Sequence, residues 1–168
     1  MPLLRPATTA DLPAILAIVS RVVPLMQASG NQQWSPDYPN EEVFRRDIGR
    51  QHLWVAELEG QVAAVAALTH NDQDPEYDQA DWDVTEPALV THRLAVDPAA
   101  QGNGLAAALL QQAEVLAVEQ GLKMLRVDTN SENVATQRLF PKLGYRFAGE
   151  ITLAFRPGLR FFCYEKQL

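Results

Sequence analysis

Apolar residues recur at intervals of three or four in two long stretches of the chain, which predicts amphipathic helices. The first stretch is formed by Ile15, Ile18, Val19 and Val22, and the second by Leu105, Leu109, Ala113 and Leu116. Shorter helices are predicted at residues 41–48 and 131–143. We expect Pro24 to end or kink the first helix, because proline lacks the backbone N–H that a helix interior uses.

Shorter, mainly apolar segments predict strands at residues 3–6, 53–58, 62–68, 89–96, 124–128, 145–155 and 159–165. Glu59-Gly60 and Arg156-Pro157-Gly158 are typical of turns between neighbouring strands. The order of elements is therefore β-α-α-β-β-β-α-β-α-β-β. The central strand–helix–strand unit implies one parallel pair and the hairpins imply antiparallel neighbours, so the fold class is α/β (α+β), with a mixed sheet.

Length and composition favour a single globular domain that spans residues 1–168. Apolar residues make up 47% of the chain and charged residues 21%. No uninterrupted apolar run approaches the roughly 20 residues that span a bilayer, and the N-terminus has no pattern of a signal peptide. The single cysteine, Cys163, fits a reducing compartment. We therefore expect a cytoplasmic location and no membrane partner.

The chain is acidic, with a formal net charge of −7 and a pI of about 4.9. This average charge repels a phosphate polymer, so we expect no nucleic-acid partner. The acidic residues are concentrated between Asp72 and Glu86, a stretch that contains no Lys or Arg. Two interpretations stay open: a solvated loop, or a loop whose field attracts a cationic substrate.

The segment at residues 94–106 carries the clearest chemical signal, because a buried strand, a glycine-containing loop and a helix of small residues follow one another. The first amides of a helix have no internal partner and carry partial positive charge, so glycines there allow a diphosphate to approach closely. Gly102-x-Gly104-x-x-Ala107, with Asp128 downstream, also satisfies the dinucleotide fingerprint. Against that alternative, the turn is longer than a dinucleotide turn and no further βαβ unit follows.

The same segment resembles motif A of the GCN5-related N-acetyltransferase (GNAT) superfamily. Its signature, Gln/Arg-x-x-Gly-x-Gly/Ala, is met by Gln101, Gly104 and Ala106. Residues 5–15 resemble the opening strand and helix of that family, residues 94–98 its central strand, and Asn133 with residues 139–145 its second helix and the strand after it. The resemblance covers nearly the whole chain in the right order.

The resemblance implies a GNAT-like, mostly antiparallel sheet, acetyl-CoA as co-substrate and no metal. It implies that main-chain groups of the central strand bind the pantetheine arm and polarise the thioester, at Leu94, Ala95 and Val96. It implies that the following turn binds the diphosphate, at Gln101, Gly102, Asn103, Gly104, Leu105 and Ala106. Asn133 and Phe140 are further cofactor-binding positions, and the strands beside the thioester are expected to splay apart. A homodimer, common in the family, is a further expectation.

His92 is the candidate catalytic base. It precedes Leu94 and Val96 by two and four residues, so regular strand alternation would put all three on one face. An unperturbed imidazole titrates near ~6.5, which suits proton transfer at neutral pH. Arylalkylamine acetyltransferases of the family carry a catalytic histidine at the matching place. The competing interpretation is a histidine that is only hydrogen-bonded in the sheet.

The predicted reaction is transfer of an acetyl group from acetyl-CoA to a primary amine of a small molecule. The family's usual general acid is a tyrosine, but Phe140 occupies that position and has no proton to give. Trp34, Tyr38 and Trp82 lie in the loops where the family builds its acceptor pocket, and two interpretations stay open: they line that pocket, or they pack in the core or a lid. Two alternatives remain open: an acetyltransferase for protein or peptide amines, and a non-catalytic acetyl-CoA sensor.

Overall fold

The predicted elements form in the predicted order in a computed structural model that describes residues 1–168. The strands are β1 (Leu3–Pro6), β2 (Leu53–Leu58), β3 (Gln61–His70), β4 (Ala88–Val96), β5 (Met124–Asn130), β6 (Arg146–Ile151) and β7 (Phe161–Gln167). The helices are α1 (Leu12–Ala28), α2 (Glu41–Gly49), α3 (Leu105–Glu119) and α4 (Val134–Lys142). Short 3₁₀ turns occupy Thr9–Asp11, Pro75–Gln79 and Pro98–Ala100.

All strands belong to one sheet of order β1-β2-β3-β4-β5-β7-β6. Only β4 and β5 run parallel, and every other neighbouring pair is antiparallel. The β2–β3 turn has positive φ at both Glu59 (53°) and Gly60 (77°), as a tight hairpin requires. The mixed, mostly antiparallel sheet with one parallel pair is therefore confirmed.

The helices cover both faces of the sheet, as apolar stripes on each side require. On one face α3 packs onto β4 and β5, with Leu105, Leu109 and Leu125 almost fully buried. On the other face α1 and α2 bury Ile15 and Phe44 against β2 and β3. A third apolar cluster lies under the 3₁₀ turn at Pro75–Gln79. The centre of the sheet is thus fixed from both sides.

Helix α1 passes through Pro24 and ends at Ala28, so Pro24 does not end the helix, which was one of the two outcomes expected. At the end of the helix the backbone N–H of Ser29 donates to the carbonyl oxygens of Leu25 and Met26. The helical segment Thr9–Ala28 has mean hydropathy 1.5 and is long enough to cross a membrane. Its buried side chains pack on the sheet, as those of a core helix do. A core helix can pass the same test of length and hydropathy as a helix that crosses a membrane.

Strand β6 is shorter than predicted and β7 begins two residues later than predicted, because residues 152–160 leave the sheet. The backbone N–H groups of Thr152 and Ala154 donate to the side chains of Gln79 (3.1 Å) and Glu76 (3.0 Å) rather than to a neighbouring strand. The result is a loop between β6 and β7 that reaches the region beside the end of β4.

Candidate active site

Strands β4 and β5 separate near the centre of the sheet. Their pairing runs from Ala88 opposite Met124 to Thr91 opposite Val127, although β4 continues to Val96 and β5 to Asn130. A cavity of about 730 Å³ opens where the pairing ends. The splayed strands expected from the resemblance are therefore present, and the backbone edge of β4 beyond Thr91 is free to meet a ligand.

A bulge interrupts β4 at Arg93, whose φ is 52°. On β3, Val65 pairs with Ala95 but Ala67 pairs with His92, so β4 has one residue more than its partner over this interval. His92 therefore shares a face with Ala95, and the prediction that it shares a face with Leu94 and Val96 is wrong. Arg93 binds both carboxylate oxygens of Asp47, at 2.6 and 2.7 Å, which anchors the bulge to α2.

His92 still lines the cavity despite the change of face. Its Nε2 lies 2.8 Å from the carbonyl oxygen of Asp72. Because a carbonyl only accepts, this contact assigns the proton to Nε2 and leaves a free lone pair on Nδ1 in the neutral ring. The imidazole is thus oriented by the acidic loop and retains one basic nitrogen.

Two carboxylates, Asp74 and Asp128, line the cavity beside His92. Burial raises the pKa of Asp74 to about 6, with the positive charge of His92 opposing the shift and the charge of Asp128 adding to it. Burial also raises the pKa of Asp128, which accepts a hydrogen bond from the Tyr77 hydroxyl at 2.8 Å. The cavity wall therefore holds a small group of mutually interacting titratable side chains.

The turn between β4 and α3 presents a row of unpaired amides. None of the backbone N–H groups from Gln101 to Ala107 donates a hydrogen bond within the protein. Gly102 and Gly104 have φ of 85° and 72°, and no atom lies within 4 Å of a Cβ built on either. Asn103 donates to the carbonyl oxygen of Ala100 at 2.8 Å and holds the turn in shape. These donors and this open approach fit a diphosphate.

Most predicted cofactor-binding residues lie around one cavity. Those that line it are Leu94, Ala95, Val96, Gln101, Gly102, Gly104, Leu105, Ala106, Asn133 and Phe140. Asn103 does not line it. The Asn133 side chain accepts from the backbone N–H of Thr136 at 3.2 Å as the N-cap of α4, which leaves its amide nitrogen able to donate to a ligand.

Phe140 is a packing residue at the edge of the cavity. It is 1% exposed, and its ring lies 5.8 Å from that of Tyr145 and 5.2 Å from that of Tyr164. Tyr38 is the only tyrosine that lines the cavity, and it lies on a different loop. No phenol therefore takes the place that the family's general acid would occupy at Phe140.

Two loops meet over the part of the cavity away from the amide turn. Tyr38, between α1 and α2, lies 6.1 Å from Phe155, between β6 and β7. The Arg156 guanidinium stacks 5.0 Å from the Tyr38 ring, and its Nε donates to the Gln33 carbonyl at 2.7 Å. Trp34 and Tyr38 line the cavity as the sequence suggested, whereas Trp82 packs on Tyr77 and does not.

The sequence patterns do not indicate the cluster around His92. They give Asp74 only as one member of the acidic stretch and Asp128 only within the dinucleotide fingerprint, and they give no role to Arg93. The pairing of the parallel strands β4 and β5 brings the cluster together: Thr91 lies opposite Val127, so the next residues, His92 and Asp128, lie at the same level.

Comparison with known proteins agrees with this geometry. The model of the Acetyltransferase (GNAT) family matches residues 20–145. The uncharacterized N-acetyltransferase YesJ of Bacillus subtilis is 28% identical over 148 residues, which are 86% of this chain and 81% of that protein. A GNAT-family acetyltransferase from Streptococcus agalactiae superposes with a TM-score of 0.86 at 28% identity, covering 99% of this chain and 95% of that one. An acetyltransferase from Salmonella typhimurium, solved with acetyl-CoA, has a TM-score of 0.70 at 21% identity and covers 100% and 94%.

Proposed function

We propose that this chain, which belongs to the acetyltransferase (GNAT) family, moves an acetyl group directly from acetyl-CoA to a primary amine of a small molecule. As a family member it is an acyl-CoA-dependent N-acetyltransferase with acetyl-CoA as co-substrate. The direct route, the small acceptor and the role of each residue are the proposal. The observation that carries it is the row of unpaired amides beside the splayed strands and His92.

The amide turn would hold the diphosphate of the co-substrate. The backbone N–H groups from Gln101 to Ala107 have no acceptor within the protein, and the lack of side chains at Gly102 and Gly104 leaves the approach to them open. Asn133, at the start of α4, supplies a further amide donor on the opposite wall of the cavity. Binding therefore relies on main-chain dipoles rather than on lysine or arginine.

The free edge of β4 would position the thioester. Beyond Thr91 this edge has no partner strand, so main-chain groups of Leu94, Ala95 and Val96 can bind an extended arm as a neighbouring strand would. The thioester supplies an activated acetyl carbon at that position. A backbone N–H aimed at the carbonyl oxygen stabilises the negative charge that develops there during attack.

His92 would make the acceptor nucleophilic. An alkylamine has a pKa near ~10.4 and is mostly protonated at neutral pH, so a proton must leave before its nitrogen can attack. The Nδ1 lone pair of His92 accepts that proton, while the contact of Nε2 with Asp72 holds the ring. The nitrogen then forms the C–N bond as the C–S bond breaks, and coenzyme A leaves as a thiolate, since Phe140 offers no proton.

Contacts between two loops beside the cavity favour a small acceptor over a protein chain. The Tyr38–Phe155 contact and the Arg156–Gln33 hydrogen bond join the loop between α1 and α2 to the loop between β6 and β7. A peptide needs a groove that is open at both ends, whereas these loops leave a pocket.

We also propose a cytoplasmic location, supported by the single, buried and unpaired Cys163. The homodimer and the single domain over residues 1–168 stay predictions.

The test is turnover by the purified protein with acetyl-CoA and a panel of small amines and short peptides, followed through the free thiol released. We expect acetylation of at least one small amine, with peptides at least about tenfold poorer in kcat/KM. Faster acetylation of peptides would contradict the small-molecule assignment. Tight acetyl-CoA binding with no turnover on any amine would contradict the catalytic role of His92.

A further inference from the structure

Asp74 and Asp128 approach the acceptor end of the cavity from different parts of the chain. Asp74 comes from the acidic stretch after β3, and Asp128 from β5, one residue beyond the last pair with β4. Both line the cavity, and each carboxylate feels the charge of His92. Asp128 is held by Tyr77, whereas no protein group donates a hydrogen bond to the Asp74 carboxylate. One of the two carboxylates therefore lacks an internal partner.

The cavity wall contains one lysine or arginine side chain, and that side chain is already paired. Arg93 lines the cavity, and its Nε and one Nη bind Asp47. Glu132 lines the cavity as well and adds a further negative formal charge. The formal charges of the lining residues are thus negative overall, and their one guanidinium is held by Asp47.

Further arginines lie outside the residues that line the cavity. The Arg156 guanidinium stacks on the rings of Tyr38 and Phe155, which line the cavity, and its Nη2 is buried without a hydrogen-bond partner. A smaller cavity of about 320 Å³ shares Asp74, His92 and Arg93 with the first one and is also lined by Arg46 and Arg50. A carboxylate far from the reacting nitrogen could reach that second cavity, but a carboxylate on the adjacent carbon would face Asp74 and Asp128.

We propose that Asp74 and Asp128 hold the ammonium group of the acceptor, which makes the substrate a cationic primary amine without a carboxylate beside its nitrogen. This inference rests on the acetyltransferase function proposed above. The inference also gives the acidic stretch a role, because Asp74 is the member of that stretch that lines the cavity and interacts with His92.

The carboxylates of Asp74 and Asp128 also fit the transfer of a proton from the acceptor to His92. The acceptor enters as R–NH₃⁺ and gives one proton to Nδ1 of His92, which becomes an imidazolium. The positive charge moves from the substrate to the ring but stays next to the same two carboxylates, so no charge is separated in the buried site. The neutral amine then attacks as described above, and its remaining excess proton leaves with solvent after the C–N bond forms.

A matched series of acceptors tests the charge requirement. Phenethylamine, phenylalaninamide and phenylalanine share one tail and differ at the carbon beside the nitrogen by hydrogen, a neutral carboxamide or a carboxylate. Cadaverine, lysinamide and lysine repeat the comparison with a flexible, cationic tail. Binding to the complex of the protein with coenzyme A is measured by calorimetry, and turnover with acetyl-CoA is measured separately, so that binding is tested even without catalysis.

Three variants test the residues. Asp74→Asn and Asp128→Asn remove one charge each, and asparagine at 128 can still accept the Tyr77 hydrogen bond. Asp78→Asn removes the same charge from an exposed position in the same loop, outside the cavity, and is the control. Binding is repeated near pH 6 in buffers of different ionisation enthalpy, which reports protons released when a cation displaces the proton of Asp74.

We expect the amine of at least one series to bind at least about tenfold more tightly than its amino acid, with the carboxamide close to the amine. Asp74→Asn and Asp128→Asn should each weaken amine binding at least about tenfold, and Asp74→Asn should reduce the proton release, while Asp78→Asn changes neither. Equal or tighter binding of the amino acids, no binding of any amine, or unchanged binding in both cavity variants would overturn the inference. Binding that follows this pattern without turnover would instead contradict the proposed function alone.

Discussion

The histidine at position 92 has a structural contact, and we propose that it also has a chemical role. Its Nε2 holds the acidic loop through the Asp72 carbonyl, and its ring lines the cavity where β4 and β5 part. A histidine that served only the sheet could be replaced without effect on the reaction. The proton-accepting role therefore makes a prediction that the structural role does not.

His92→Ala should lower kcat for amine acetylation by about 10² to 10⁴, the usual contribution of a general base, and should change the pH profile of kcat/KM. Acetyl-CoA affinity should change little, because the amide turn is untouched. Steady-state kinetics across pH and a direct binding measurement check both. His70→Ala, at an exposed histidine at the end of β3, is the control. An unchanged pH profile would remove His92 as the base.

Asp74 should make the folded protein less stable at neutral pH. Its folded-state pKa of about 6 lies above the unfolded value of 3.8, so the native state binds more protons than the unfolded state between these values. Its contribution to stability therefore falls as the pH rises from about 4 to 6. His92, Asp128, Asp72 and Glu76 face this group and set the size of the effect.

Asp74→Asn is accordingly expected to raise the free energy of unfolding at pH 7.5 by about 1 kcal/mol, after allowance for partial solvent exposure, and to change it little at pH 4. Urea denaturation at the two pH values measures the difference. A variant that is less stable than the native protein at pH 7.5 would show that the carboxylate has a stabilising partner.

At the scale of elements, the amide turn between β4 and α3 is a local feature that the sequence predicts well. Gly104→Asp places a negative charge at a position of positive φ where the phosphates would lie, and should weaken acetyl-CoA binding at least about 100-fold. Gly60→Asp has a similar φ and equally open surroundings, but lies in the β2–β3 hairpin.

Calorimetry with acetyl-CoA compares these two variants. The hairpin variant should bind as the native protein does, which separates charge at the site from backbone strain. If Gly104→Asp keeps its affinity, the diphosphate does not lie at this turn.

We propose that the contact between the two loops beside the cavity helps to bind the acceptor. Arg156→Ala removes the hydrogen bond to Gln33 and the stacking on Tyr38, and should raise KM for the amine about tenfold while leaving KM for acetyl-CoA unchanged. Arg160→Ala, at an exposed arginine of the same loop that pairs with Glu150, is the matched control. Equal effects on both Michaelis constants would contradict a role at the acceptor end alone.

The elements and their order could be predicted because each has its own local signal, whereas the site depended on details that no local pattern contains. Strand alternation placed His92 on the wrong face, because β4 bulges at Arg93, whose side chain is held by Asp47 on α2, far away in sequence. The strand predicted to reach Phe155 stopped at Ile151 because side chains of a distant 3₁₀ turn bind its backbone. Contacts of this kind follow from tertiary packing and not from periodicity.

At the scale of the whole molecule, the two layers of helices hold the parted strands in place, so the site depends on the core. Phe140→Ala should lower the free energy of unfolding by about 3–5 kcal/mol, because it leaves a cavity between Tyr145 and Tyr164. Phe140→Leu should cost less than half as much and keep acetylation near the native rate. A large loss of rate with intact stability in the leucine variant would show a direct role in the reaction.

We propose that main-chain amides around Gly104 hold the diphosphate of acetyl-CoA while its thioester lies against the free edge of β4. A crystal structure of the protein with bound acetyl-CoA would show both contacts. We expect phosphate oxygens within hydrogen-bond distance of the amides between Gln101 and Ala107, and the acetyl group between Val96 and Asn130, near His92. A diphosphate bound elsewhere, or a thioester outside the gap between β4 and β5, would contradict it.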